Sequence, residues 1–181
     1  MSTTTIIAKP ALEQATVLHH PSPADVYRRL GRRTFAMLST VSPAGWPHAA
    51  GVLYELEGDS LFINTLSHSR KGRNMAANPK VGVSIPIRRL PVGPPSSVQF
   101  QGTAELLATD HPTIQALVAD GKLRSLTRHG ELHLPGSVFV RITLPRRLLT
   151  YGLGMPLRSL IKDPLAAAGS VDMGELTGAQ A

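Results

Sequence analysis

The chain has 181 residues, 42% of them apolar, no cysteine, and a formal charge of +7. Without cysteine there are no disulfides, thiolate metal sites or cysteine nucleophile, and no apolar run approaches the ~20 residues of a membrane-spanning helix. The excess of Lys and Arg favours polyanionic partners: nucleic acid, acidic lipid, or a cofactor carrying phosphate and carboxylates.

Residues 1–21 read as a flexible N-terminal arm, with Pro10 and Pro21 limiting regular structure. The arm lacks the basic region and long apolar core of a secretory signal, so a cytoplasmic location is expected. One domain is expected over 22–165, and a flexible, small-residue tail over 166–181. Ser22-Pro23-Ala24-Asp25 predicts a capped helix start, with the helix ending at Gly31 and turning Val26 and Leu30 inward. Strands follow over Thr34–Val41, Trp46–Leu56 and Leu61–Ile63, joined by turns at Ser42–Gly45 and Gly58-Asp59. Trp46 and Tyr54 are expected in the core or an interface.

A short helix opens after Ser69, and Asn78-Pro79 returns the chain to a strand over Val81–Ile87. Pro86 to Ser97 holds four prolines and reads as a stiff loop or lid. A strand over Ser97–Leu107, a capped helix over Asp110–Asp120, a helical piece over Lys122–His129 and a strand over Ser137–Leu144 complete the pattern, with Leu148–Tyr151 continuing it. Six or so hairpin-joined strands with short helices between predict an antiparallel barrel with peripheral helices, mostly β.

Chemistry concentrates at Ile63 to Val83. A strand there delivers Thr65, Ser69, Arg70 and Lys71 to the mouth of a helix. Hydroxyls, a forked guanidinium, a point charge and unpaired helix N–H groups suit a phosphate monoester. Cations in a first helical turn oppose the helix dipole, and a bound anion would resolve that conflict. The competing reading is an ordinary capped surface helix with solvated cations. The other basic clusters, at Arg28–Arg33, Arg88-Arg89 and Arg146-Arg147, have no such context. His129 and His133 stand four apart, but Gly130 and Pro135 interrupt their helix and no third ligand accompanies them, so no metal site is expected. The serines lack a nucleophile-elbow context, which argues against hydrolysis.

Thr65-x-x-x-Ser69-Arg70-Lys71, Arg73-Asn74-Met75 and Asn78-Pro79-x-Val81 together resemble the pyridoxamine-phosphate-oxidase-like, split-β-barrel flavoproteins. Trp46-Pro47-His48, Gly58-Asp59 and Gln99-Phe100-Gln101-Gly102-Thr103-Ala104 resemble them too, and Ile142–Pro145 followed by Tyr151-Gly152 is closer to the actinobacterial deazaflavin branch. The resemblance covers about Tyr27 to Met155. It implies a homodimer with two cofactor sites at its interface, the phosphate held at Thr65, Ser69, Arg70 and Lys71. It further implies a ring against the strands of Met37–Thr40 and Ala49–Leu53, taking in Ser39 and Thr40, with Gln99 or Gln101 reaching the cofactor, sometimes from the partner. The cofactor so implied is FMN or the deazaflavin coenzyme F420. Pyridoxamine phosphate oxidation itself is not expected, because the Arg-x-His pair of that activity is replaced by Arg146-Arg147-Leu148.

Two functions follow as expectations. The first is an oxidoreductase that passes hydride from the reduced cofactor to a small conjugated acceptor. The alternative is a non-catalytic split barrel that binds cofactor, haem or a polyanion. With aromatics at 4%, a base-stacking surface for nucleic acid would be thin.

Overall fold

Ser22 caps the first helix as its sequence predicts: its Oγ accepts the N–H of Asp25 at 3.1 Å, and α1 (Pro23–Gly31) starts there. Asp25 in turn accepts hydrogen bonds from Arg29 at 2.7 Å and from Arg28. The Arg29 contact, more than any other, holds its carboxyl below the usual carboxylate range. Val26 and Leu30 lie four apart on one helix face and are fully buried. The computed structural model describes residues 21–87 and 96–174. The expected arm over 1–20, including His19-His20, and the 88–95 part of the expected lid fall outside the described residues.

β1 (Phe35–Val41) and β2 (Pro47–Leu53) form a hairpin in register from Phe35↔Leu53 to Val41↔Pro47. Its turn places Gly45 at φ +81°, left-handed backbone that a side chain would strain, and leaves Trp46 three-quarters exposed. The sequence predicts one returning strand through Leu56, and the structure breaks it at Tyr54. That side chain is fully buried and donates its hydroxyl to the Leu30 carbonyl at 2.7 Å, while its N–H reaches Thr34 O. Anchoring Tyr54 ends β2 and releases β3 (Glu55–Glu57) to pair with β4 (Ser60–Leu66).

α2 (Arg70–Ala77) leads to β5 (Lys80–Ile87) and the 13-residue β6 (Ser96–Ala108). β6 carries β5 on one edge along Ser96–Thr103. Its other edge is shared by β8 (Arg147–Tyr151) at Ser97–Gln99 and β7 (Ser137–Thr143) at Ala104–Ala108. Each of these pairings is antiparallel, and the sheet runs β2-β1-β5-β6-β7-β4-β3 and curls into a half-barrel. Leu38, Leu61, Ile63, Ile85, Val98 and Ile142 fill its interior, with α1 and Met75 of α2 closing it. Each such fully buried aliphatic side chain contributes about 1.5–3 kcal/mol.

Between β6 and β7 runs a helical excursion of α3 (Pro112–Ala119), α4 (Arg124–Thr127) and a 3-10 turn at Glu131–His133. It covers a second apolar cluster built on Phe62, Leu107, Ile114, Leu123 and Phe139. His111 rather than Asp110 caps α3, accepting the Thr113 N–H on Nδ1. The piece expected over Lys122–His129 shrinks to four residues because Leu123 enters at φ +58° and Gly130 exits at φ +87°.

The expected flexible tail is corrected at its start. β9 (Ala168–Asp172) pairs along the whole of β8, from Arg147↔Asp172 to Tyr151↔Ala168. Its small residues conceal an alternation in which Val171 and Met173 are buried, and Arg146 pairs with Asp172 at 3.1 Å. α5 (Leu157–Lys162) and a 3-10 turn at Leu165–Ala167, also unforeseen, bridge β8 to β9. Residues 175–181 fall outside the described residues. Among the described residues, no helix is long and apolar enough to cross a membrane.

Candidate functional site

Ser69 organises the entrance to α2. Its Oγ accepts the Gly72 N–H at 3.1 Å and donates to the Leu66 carbonyl at 2.7 Å. With that proton committed, the Thr65 hydroxyl, 3.2 Å away and buried, is the donor to Ser69. Both hydroxyls therefore build the turn. What the entrance leaves open are the side chains of Arg70 and Lys71 and the N–H groups of the same residues. None of these has a hydrogen-bond or ion-pair partner among the described residues. Such unpaired N–H groups and cations attract an anion.

The turn admits only glycine at its next position. A Cβ on Gly72 would stand 2.4 Å from Leu66 O and 2.6 Å from Ser67 O. Arg73 fastens the outer side by donating to the His68 carbonyl. Asn74, buried, fastens the inner side by donating to Thr40 Oγ1 at 3.0 Å. Thr40 is itself buried and reaches His48 O at 3.4 Å, so it ties helix to strand and faces away from its neighbour Ser39.

Lys71 points to the seam of the half-barrel. Among the described residues β2 has β1 on one edge and no ladder partner on the other, which faces β4. A pocket of about 200 Å³ lies there, lined by Gly51, Val52, Leu53, Asn64, Lys71, Ser125, Leu126 and Glu131. The far wall is α4, pinned by Glu55, whose Oε1 accepts both the N–H and, at 2.6 Å, the Oγ of Ser125. Sequence reasoning missed Asn64, Glu55, Ser125 and Glu131. A polar Asn inside the apolar run LFINTL was the one local signal, since the other three meet only through the fold.

Ser39, Gln99 and Gln101 belong to a second place, the open face of the sheet. Cross-strand register sets Ser39 beside Gly82 and Gly82 beside Gln101, and sets Met37, Ser84, Gln99 and Leu149 in the next row. All of these but Met37, together with Pro145 and Arg147, line a shallow groove of about 510 Å³. Apolar side chains surround it on the same face: Phe35 is 44% exposed, Leu53 49% and Leu149 53%. The eight residues singled out from sequence thus fall into two groups. Thr65, Ser69, Arg70 and Lys71 gather at the entrance; Ser39, Gln99 and Gln101 gather on the open face, with Thr40 buried between them. Among the described residues no cluster of His, Asp and Glu is arranged to hold a metal ion.

The chain belongs to the pyridoxamine 5′-phosphate oxidase family, whose model matches residues 24–147. Its fold is shared with the haem storage protein HutZ of Vibrio cholerae, at 17% identity and a TM-score of 0.60, over 69% of this chain and 91% of that one. A haem-binding protein of Mycobacterium smegmatis matches at 20% identity and a TM-score of 0.66, covering 88% of this chain but only 61% of the other. An FAD-binding protein of Mesorhizobium loti matches at 23% identity and a TM-score of 0.52, over 65% of this chain and 86% of that one. At these identities the likeness is one of fold, the split barrel expected from sequence. No curated protein sequence matches the chain.

Proposed function

We propose that this protein is an oxidoreductase that holds a phosphorylated flavin-type cofactor, FMN or the deazaflavin F420, and passes hydride to a small conjugated acceptor. The carrying observation is the α2 entrance: among the described residues Arg70 and Lys71 have no partner and stand over two open N–H groups, on a turn made rigid by Thr65, Ser69 and Gly72. A phosphate monoester fits that donor set. Next to it the unpaired edge of β2, at Gly51 and Leu53, offers backbone N–H and C=O groups to the edge of a flat ring. When bound, such a cofactor supplies the hydride chemistry; the protein's part is to bind, orient and exclude water.

The open face supports a homodimer. Phe35, Met37, Leu53 and Leu149 present apolar surface that a second copy would cover, and that copy would bring Gln99 and Gln101 towards a partner's entrance. A non-catalytic haem binder is the second reading. It is favoured by the descriptions of the two haem proteins that share the fold, since Arg70 and Lys71 would equally receive haem propionates.

Separate titrations with FMN, F420 and haem test these readings. Micromolar or tighter binding of one flavin-type cofactor, weakened more than tenfold by Lys71→Ala in a folded variant, is the expected result. Haem binding alone would establish the second reading, and an affinity unmoved by Lys71→Ala would remove the entrance from either.

A further inference from the structure

Between β8 and β9 the chain makes an excursion whose outer side carries an apolar ridge beside a basic one. Beneath it, Met155, Leu160 and Ala167 form a small core against Tyr151 and Ala166. The Gly152 N–H donates to Ala167 O at 2.8 Å and Ser96 Oγ donates to Gly152 O at 3.2 Å, which closes the excursion at its base and ties it to β6. A six-residue helix is not stable alone in water, so α5 takes its shape from this anchoring. Leu160 is buried, whereas Leu157 and Ile161, one turn apart, are exposed, and Leu165, four residues further on, is 90% exposed. Arg158 and Lys162, also one turn apart and exposed, form the second ridge. Among the described residues neither cation has a hydrogen-bond or ion-pair partner. The one acid of the segment, Asp163, commits a carboxylate oxygen to the Ala166 N–H at 3.1 Å. The segment lies outside residues 24–147, which the family model matches, and none of these side chains lines the groove or the seam pocket.

Three aliphatic side chains turned outward by an anchored loop mark a surface that something covers. The cations beside them select the partner. A second copy seated on the same patch about a two-fold axis would set Arg158 and Lys162 against their own counterparts, which repel. An anionic bilayer meets both ridges. The aliphatic side chains enter the acyl boundary, and the Arg and Lys stems carry their charges up to the headgroups. The +7 formal charge of the chain acts in the same direction. We propose that α5 and the turn after it are a docking surface for an anionic lipid bilayer, bound peripherally and reversibly. This stands apart from the cofactor reading, since it uses no residue of the entrance.

Co-sedimentation of the full chain with vesicles reads this directly, using phosphatidylcholine alone and phosphatidylcholine mixed equally with phosphatidylglycerol. Wild type should bind the anionic vesicles at least about tenfold more tightly, since each of two cations at such a surface contributes about fivefold. Raising the ionic strength should weaken that binding. Arg158→Gln together with Lys162→Gln should remove most of the preference. Ile161→Ser together with Leu165→Ser keeps every charge, and should lower binding to the anionic vesicles by about tenfold or more through lost apolar burial. All four side chains are exposed, so both variants should melt as wild type does. Unchanged vesicle binding in the Ser variant would assign the binding to bulk charge elsewhere on the surface and overturn the proposal. Two further results would overturn it: no binding of wild type to anionic vesicles, or a shift of the sedimenting species in the Ser variant without lipid, which would make the patch a contact between copies.

Discussion

The α2 entrance and the open sheet face differ in what they have already spent. At the entrance every hydroxyl and side-chain amide is used to hold shape: Thr65 on Ser69, Ser69 on Gly72 and Leu66, Asn74 on Thr40. The charges of Arg70 and Lys71 and the two open N–H groups beside them are unspent. On the open face Gln99 donates to the neighbouring Ser97, while Ser39, Ser84 and Gln101 line an open groove between exposed apolar side chains. One region is preorganised within a single chain, where ordering cost has been met by folding. The other acquires its shape from whatever covers it. The difference teaches that anion affinity should be a property of the monomer and acceptor selection a property of the assembly.

The sharpest way to break this contrast is Gly72→Ala. Its Cβ must displace the Leu66 or Ser67 carbonyl, both backbone, so the turn opens and the entrance donors lose alignment. Cofactor affinity should fall about a hundredfold, or about 2.8 kcal/mol, with loss of thermal stability on the same melt. Retained affinity would show that the turn is not rigid. Lys71→Ala ranks next, at more than tenfold in affinity with an unchanged melting temperature. On the other side of the comparison, Leu149→Arg should shift the sedimenting species from dimer to monomer. It should leave phosphate affinity at the entrance within about twofold, since Leu149 lines the groove and not the pocket that holds Lys71. A fall in both would mean that the entrance, too, is completed by a partner.

These two regions were also unequally legible in the sequence. The entrance was readable because its parts are local: a strand, a capping Ser, two cations and a glycine inside eight residues, in a spacing shared with a known family. The strand pattern and the half-barrel were readable for the same reason, through alternation in segments such as Val81–Ile87. The seam was not, because Asn64, Lys71, Ser125 and Glu131 are brought together by curling of the sheet and by the φ +58° bend at Leu123, which no propensity announces. Thr40 was misjudged by one residue of strand parity: adjacent positions face opposite sides, so Ser39 reaches the open face and Thr40 the core. β9 was overlooked because burial of Val171 and Met173 needs β8 beside it, and composition alone reports only small and polar residues.

The smallest effect tests the rigid framework beneath both regions. α1 seals the core through Val26 and Leu30, and its first turn is held by Asp25 against Arg29 and Arg28. The hydrogen bond from Arg29 lowers the Asp25 carboxyl below its ordinary value. A group lowered on folding contributes stability that is fully present above its unfolded value, near 3.9, and is lost as pH falls through the lower folded value. Asp25→Asn should therefore cost about 0.5–1 kcal/mol at neutral pH, from the ion pairs and the helix dipole together. The variant and wild type should converge in melting temperature as pH falls through the lowered folded value of Asp25, below which the wild-type carboxyl is itself protonated. Cofactor affinity should not change, because no residue of α1 lines the groove or the seam pocket. A variant that melts normally at pH 7 would show the pairs to be solvated ornaments of the surface, whereas one that also loses cofactor would tie the helix to the site through β3 and Glu55.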